Sequence, residues 1–561
     1  MAFESVGALH PHRSGFDLSY SKTFSCDMGQ LIPVMCDEVV PGDVFKISAD
    51  WLIRANPMVA PIMSQVDASV HYFFVPYRLL WTDWENFITG GRDGDFESEI
   101  PYISGYSRRN SLLDYLGFPV GDNDSVRFGG DAPGNIKPNV FPLLAYNFVW
   151  NEYYRDENFQ AYQKYYVDTH FDGMLTDDDK FLSRYGCVNT IYFPLDNASV
   201  PRGQILYRNW QKDYFTSSTF ARQRGPAVAL PVSGILPVTF NNDWQAPVKA
   251  KLGSLSQQVY AQGTSTQGSF SAPIRYETTG GGTFTSSDYP RFFADRPTGT
   301  ATVNLNQALT FNVSDLRLAT QIQKWQERNM RAGIRYTEFL RAHFGVSPSD
   351  SRLDRPEYIG MAKSPVIVSE VLQTGSTDAT SPQGNMAGHG IGVNQQRIGT
   401  YRAQEFGLII GMFSIMPKPT YASQGVNRQW LRQTNKDYYF PEFANLSEQA
   451  VYNCEIYYTG DSAVDPYRTF GYQGAYDEMR TKNDMVVGLM RPELQGGFGY
   501  WTLARTFAQQ PLLNEEFIKC TPRKDFLAVP SEPAFIVSFG NSIHAYRPMP
   551  EIAEPGLMDH H

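Results

Sequence analysis

Charged residues are scarce in this 561-residue chain: Asp, Glu, Lys and Arg make up 19%, against about a quarter in an ordinary globular protein. Basic residues are also outnumbered, 48 to 58, for a formal charge of −10. A chain without a basic surplus does not displace the counterions of nucleic acid over its whole surface, so any such contact is a local patch or runs through a basic partner. Cysteine is rare. Cys26, Cys36, Cys187, Cys454 and Cys520 are odd in number, widely spaced and without a C-x-x-C, which argues for reduced thiols rather than a disulfide framework. Long apolar runs are missing too. Ala227 to Val238 is the most apolar stretch, is cut by Pro231 and Pro237, and is far too short to span a bilayer. Met1 to Asp17 lacks the apolar core of a signal peptide. The expectation is a soluble protein with no membrane insertion and no export by a signal peptide.

Signs of chemistry are equally thin. Nine histidines show no ligand spacing. Asp177-Asp178-Asp179 runs into Lys180 without the alternating oxygens of a calcium loop and reads as a solvated turn. Asp559-His560-His561 reads as a frayed or docked tail rather than a metal trap. Gly388-His389-Gly390-Ile391-Gly392 follows no strand, opens no helix and lacks the third glycine of the dinucleotide fingerprint. The N-x-[ST] matches at Asn123, Asn197, Asn312 and Asn445 are expected by chance. No cofactor and no metal site is expected. Any two of the 58 acids could meet in space as a glycosidase pair, so a β-rich carbohydrate-binding protein or glycoside hydrolase stands as the alternative class.

What is present is aromatic: 33 Tyr and 37 Phe, with 36 Pro and 46 Gly. Aromatics favour strands and interface cores, and this much proline and glycine belongs to long ordered loops. Val66 to Tyr77 alternates Val66, Ala68, Val70, Tyr72 and Phe74 on one face with Asp67, Ser69 and His71 on the other, the period of a strand. Further strands are expected at Val303–Val313, Pro365–Leu372, Leu408–Met416, Val451–Tyr458 and Phe535–Phe539. They are separated by tens of residues with no repeat. Gly263–Thr302, in which 20 of 40 residues are Gly, Ser or Thr, also holds Phe270, Tyr276, Phe284 and Tyr289 and reads as a projecting, packed insertion. Gln373–Gly399 is loop-like.

Two helices are expected. Phe141 to Asn158 has Pro142 in its first turn and Leu143, Asn147, Trp150 and Tyr154 at helical spacing. The second starts near the N-caps Ser314 and Asp315 and runs to Phe344, with Gly345 to close it and Gly333 placed to bend or split it. Leu318, Ile322, Trp325, Ala332, Tyr336, Phe339 and Leu340 share its apolar arc. Beside that arc Arg317, Lys324, Arg328, Arg331 and Arg335 are spaced 7, 4, 3 and 4, within about 60° of one another at 100° per residue. The bland reading is a solvated face; the sharper one is a basic ridge toward DNA or a neighbouring subunit.

Several blocks, collinear over nearly the whole chain, carry a resemblance. They include Arg13-Ser14-Gly15-Phe16-Asp17, Tyr72-Phe73-Phe74-Val75-Pro76, Trp150-Asn151-Glu152, Asp213-Tyr214-Phe215-Thr216-Ser217 and Asp354-Arg355-Pro356-Glu357-Tyr358. Asn427-Arg428 through Trp430, Phe470-Gly471-Tyr472-Gln473, Pro511-Leu512-Leu513-Asn514 and the proline-rich tail Arg547-Pro548-Met549-Pro550 continue them. In these the chain resembles the major capsid protein of microviruses, small icosahedral single-stranded DNA bacteriophages, in particular the gokushovirus branch. The resemblance implies a mainly β fold: a single capsid domain, residues 1–561, built on one eight-stranded antiparallel jelly roll with long loop insertions and a few helices. It implies a structural role, not an enzyme: sixty copies, with pentamers as intermediates, in a T=1 shell around circular single-stranded DNA. It also implies a surface insertion, best matched to residues 218–302, that projects at the three-fold axis and engages the host. Phe270, Tyr276, Phe284 and Tyr289 are its candidate contact residues. The implied partners are a small basic DNA-binding protein, a minor pilot protein and a bacterial surface receptor. The implied location is the virion, after synthesis and assembly in the host cytoplasm. Sixty copies at −10 carry about −600 of formal charge, a field that opposes packaged DNA and calls for basic patches, a basic protein or cations.

Overall fold

The computed structural model describes residues 12–91, 100–122, 124–129, 136–163, 192–194, 203–226, 228, 248–252, 255–259, 291–294, 313–333, 335–372, 386–443, 446–461, 464–493 and 496–552. The chain divides into two compact units, Met1–Gly225 with Gln326–His561, and Pro226–Trp325.

The larger unit is a jelly roll. Its strands are β1 (Ser14–Asp17), β2 (Tyr20–Cys26), β3 (Ile32–Val39), β4 (Val44–Ala55), β5 (Val66–Pro76), β6 (Glu357–Leu372), β7 (Met386–Arg402), β8 (Gly407–Pro417) and β9 (Phe535–Arg547). They form one curled antiparallel sheet in the order β1-β9-β4-β7-β6-β5-β8-β3, with β2 also on β9. β1 and β2 pair with successive lengths of β9, residues 544–547 and 535–541, so the nine strands take eight lateral positions. β6 makes the fold close. Its first half pairs with β5 and its second with β7, which carries the chain from one layer to the other.

The alternation in β5 is fully used. Val66, Ala68, Val70, Tyr72 and Phe74 enter the core between the layers, with Phe24, Phe45, Trp51, Phe413 and Phe539 from the other strands. Trp51 stacks on Phe539 at 5.7 Å. The opposite face of β5 is covered as well: Phe73 and Val75 join a second core with Ile410 and Met412 of β8. Helix α1 (Phe141–Val149) packs there through Leu143, Leu144, Tyr146 and Phe148. Burial on both faces is why the end of β5, Tyr72 to Val75, is continuous in apolar residues. A third cluster, around Phe215, Tyr421, Phe470 and Phe517, supports the antiparallel hairpin Glu448–Tyr452 with Thr469–Gly474.

Several expectations change. The first helix is α-helical only to Val149 and continues as a π-helical turn, Trp150–Tyr154. The strand expected at Val451–Tyr458 is Glu448–Tyr452; it stops because the Tyr452 N–H turns into the Glu455 carboxylate at 2.9 Å, opening the 3-10 turn Asn453–Glu455. Residues 303–312 lie outside the described residues and Val313 opens a helix. Of the stretch expected to be loop-like, residues 373–385 lie outside the described residues, and the remainder belongs to Met386–Arg402, a strand of 17 residues. Its glycines are the reason it was missed. A Cβ on Gly390 would stand 2.9 Å from the Ala55 Cβ, and one on Gly392 would touch Ile53 and Val366. The inward positions are therefore empty of the apolar side chains that mark a strand, while Ile391 and Val393 point outward. The Gly388–Gly392 run is part of this strand.

In the smaller unit, Val248–Leu252 is the centre of a three-stranded antiparallel sheet flanked by Leu255–Val259 and Arg291–Ala294. No helix among the described residues is long and apolar enough to cross a membrane.

Candidate functional site

The second expected helix is two. Helix α2 (Val313–Ala332) and helix α3 (Tyr336–Phe344) are separated at Gly333, whose φ of +98° is left-handed backbone that a side chain resists. Gly345, at φ +69°, closes α3. The break turns the expected face around. Leu318, Ile322, Trp325 and Tyr336 are exposed, whereas Gln326, Asn329 and Met330 are buried. Gln326 Oε1 accepts from Gln223 Nε2 at 2.9 Å, and Asn329 Oδ1 lies 2.6 Å from His343 Nε2. The polar side is the anchored one.

The five basic residues divide accordingly. Arg317, Lys324 and Arg328 are exposed, without an ion pair among the described residues. Arg331 is exposed but paired: its Nε donates to Glu448 Oε1 and its Nη2 to the Ser447 carbonyl at 3.3 Å. Burial raises the Glu448 carboxyl above its ordinary range, with Arg331 opposing. Arg335 is spent on structure. It is 17% exposed and pairs with Glu157 at 2.8 Å and Glu338 at 3.3 Å. It also donates to the carbonyls of Asn151 (2.9 Å) and Arg155 (3.0 Å), tying the break between α2 and α3 to the end of the π turn. Glu338 is raised by desolvation and by the neighbouring Glu157 charge, and Arg335 pulls it back. Of the ridge, Arg317, Lys324 and Arg328 are the exposed cations without an ion pair among the described residues. Nothing in the spacing 7, 4, 3, 4 marks Arg331 and Arg335 as ion-paired, since Glu448 and Glu157 come from distant segments.

Phe270, Tyr276, Phe284 and Tyr289 lie outside the described residues, as do Asp177 to Asp179 and Asp559 to His561. Among the described residues no three His, Cys, Asp or Glu side chains gather to hold a metal ion. Four cysteines are described, Cys26, Cys36, Cys454 and Cys520, all free thiols. His71, which faces the second core, hydrogen-bonds through Nδ1 to the Tyr154 hydroxyl at 2.7 Å. Burial and then Arg208 push it down to about 3, so it is neutral at any ordinary pH. It is a core histidine, not an acid–base.

Comparison with known proteins now bears on this architecture. The sequence model described as "Capsid protein (F protein)" matches residues 5–557. Capsid protein VP1 of Chlamydia phage 1 is 35% identical, with 99% of this chain and 97% of the relative covered. Capsid protein VP1 of Bdellovibrio phage phiMH2K is 29% identical over 98% and 96%, and that of Spiroplasma virus 4 is 28% identical over 99% and 97%. The curled antiparallel jelly roll agrees with these matches, and the chain belongs to the phage capsid protein (F protein) family: by that membership it is a structural component of a virion shell and not an enzyme.

Proposed function

We propose that sixty copies of this chain close into a T=1 icosahedral shell around circular single-stranded DNA, with pentamers as intermediates, and that residues 218–302 project from it to meet a bacterial surface receptor. The observation that carries this reading is the family match over residues 5–557, joined to a jelly roll, a recurrent capsid architecture. A small basic DNA-binding protein and a minor pilot protein complete the particle, and assembly takes place in the host cytoplasm. The excess of acid over base, 58 to 48, supports a need for basic help against the packaged charge.

Electron microscopy of the expressed full chain tests the shell: closed particles of about 25–30 nm are expected for sixty subunits of this mass at interior packing density, and a monomer at every concentration would overturn it. The DNA contact is tested at Arg328, an exposed cation of α2 with no internal partner among the described residues. Arg328→Glu should lower encapsidated DNA while empty shells still form. Normal packaging would reduce α2 to a solvated face.

A further inference from the structure

The segment Arg428–Phe443 of the larger unit exposes aromatic side chains that its own fold never covers. Trp430 is 77% exposed and Tyr438 52%, with Tyr439 and Phe440 close behind. Such a run of rings in water is unusual for a surface without a partner.

The segment is nonetheless rigidly held. Asn427 Oδ1 accepts the Gln429 N–H at 2.9 Å and opens the 3-10 turn Arg428–Trp430. Asp437 Oδ2 accepts from Gln433 (2.9 Å) and Thr434 (2.7 Å), fixing the turn Asn435–Asp437. Beneath them two ion pairs act as footings: Arg428 with Glu455 at 2.9 Å and Arg432 with Glu478 at 2.7 Å, both carboxylates almost fully buried. Tyr439 packs edge-on to Tyr476 at 5.2 Å, and the Tyr476 hydroxyl reaches the Tyr438 carbonyl. Next to this promontory lies a cavity of about 590 Å³, lined in part by Trp430, Met485, Val487, Tyr214 and Arg491. Met485 and Val487 are themselves more than half exposed.

We propose that this promontory and the cavity beside it are a contact surface for a second copy of the same chain. The inference rests on the shell reading above and names one of its seams. In a closed shell each copy meets identical neighbours, so a protruding patch and a recess on one molecule find their complements on the next. Trp430, Tyr438, Tyr439, Phe440, Met485 and Val487 together expose on the order of 700 Å², close to the roughly 800 Å² that each partner gives to a standard interface. Trp and Tyr on a prearranged backbone are the side chains that lose least on docking. Charge argues the same way: Arg428 and Arg432 are neutralised inside the footing and the exposed Lys436 is outweighed by Asp437 and Glu442, so the segment offers little to a phosphate-rich ligand.

Hydroxyl-radical footprinting of the full chain, as dissociated subunits and as particles assembled from this chain alone, tests the surface. Oxidation of Trp430 and of Tyr438–Phe440 should slow at least tenfold in particles. Trp430→Ala should leave the unfolding midpoint of the subunit unchanged and lower particle yield at least tenfold. An unchanged footprint in well-formed particles overturns the surface and leaves the shell reading intact. Protection that arises only in complete virions, and not in shells of this chain alone, assigns the patch to a different protein and also overturns it. A wild-type chain that forms no particles removes both.

Discussion

The Tyr72 hydroxyl donates to Asn541 Oδ1 at 2.9 Å, across 469 residues of sequence and from β5 in one layer to β9 in the other. Both side chains are buried, and Asn541 Nδ2 donates onward to the Val34 carbonyl at 3.0 Å. This is a polar tie inside an apolar core, where a fully paired group stabilises and a half-paired one is costly. Tyr72→Phe strands the Asn541 carbonyl and should cost about 1–3 kcal/mol. Asn541→Leu strands the Tyr72 hydroxyl and leaves the Val34 carbonyl only the longer 3.5 Å bond from the Tyr20 hydroxyl, and should cost at least as much. The double variant should cost clearly less than the two single losses combined, as read by denaturant unfolding of dissociated subunits. Simple additivity would mean that the two groups do not act together.

Arg335 and Arg328 sit seven residues apart yet should behave oppositely. Arg335→Gln breaks the ion pair with Glu157 and frees the carbonyls of Asn151 and Arg155; each buried acceptor left unpaired costs about 1–3 kcal/mol. Arg328→Gln should change the unfolding free energy by less than about 0.5 kcal/mol, the range of an ordinary surface substitution. Equal effects in thermal unfolding would contradict the division of the ridge.

Asp37, on β3, is a half-buried carboxylate whose Oδ2 is covered and has no hydrogen-bond partner. Desolvation raises it to about 6, opposed by the charges of Arg547 and Lys22. Lys22 is itself lowered to about 8 by desolvation. The sign follows from linkage. Between about pH 4 and pH 6 the folded chain keeps a proton that the unfolded chain has released. The destabilising contribution of Asp37 therefore grows as pH rises through that window and is complete above it. Two pKa units set its size at up to about 3 kcal/mol. Asp37→Asn should stabilise the subunit at pH 7 and flatten its stability between pH 4 and 6; a variant with the wild-type pH profile would show that Asp37 is solvated.

Thiol reactivity offers a direct reading of the core. Burial raises Cys36 and Cys520 to about 12 and Cys454 to about 11, and lifts Cys26 further. Thiolate is the reactive species, so at pH 8 these four should resist a thiol reagent in the native protein and react at once in denaturant. Rapid native labelling of any of them would contradict the packing around it. Cys187 lies outside this expectation.

What the sequence disclosed depended on how each strand is covered. β5 was legible because every second residue enters the core, and β9 because Phe535, Val537 and Phe539 do the same. β7 was hidden because glycine replaces side chains where β4 and β6 approach it, which inverts the usual pattern and leaves Ile391 and Val393 facing out. The basic ridge was legible as a helical face, but its division was not. Arg331 and Arg335 differ from Arg328 only in what the fold brings beside them, Glu448 and Glu157. The rings of Tyr438, Tyr439 and Phe440 read as ordinary aromatic content until the Arg428–Glu455 and Arg432–Glu478 pairs are seen to hold them outward. The family resemblance reached further than any of these local signals, because collinear blocks survive where periodicity fails.

The position of β9 has a consequence for biosynthesis. Of the described strands β9 is the last in chain order, and it lies between β4 and the first two, β1 and β2. At a synthesis rate of 5–20 residues per second the amino-terminal strands wait roughly 25–100 s for their hydrogen-bonding neighbour. During that interval they are unpaired edges on a nascent chain, open to a chaperone or to aggregation. A product ending before Phe535 would leave β1 and β2 without the strand they pair with.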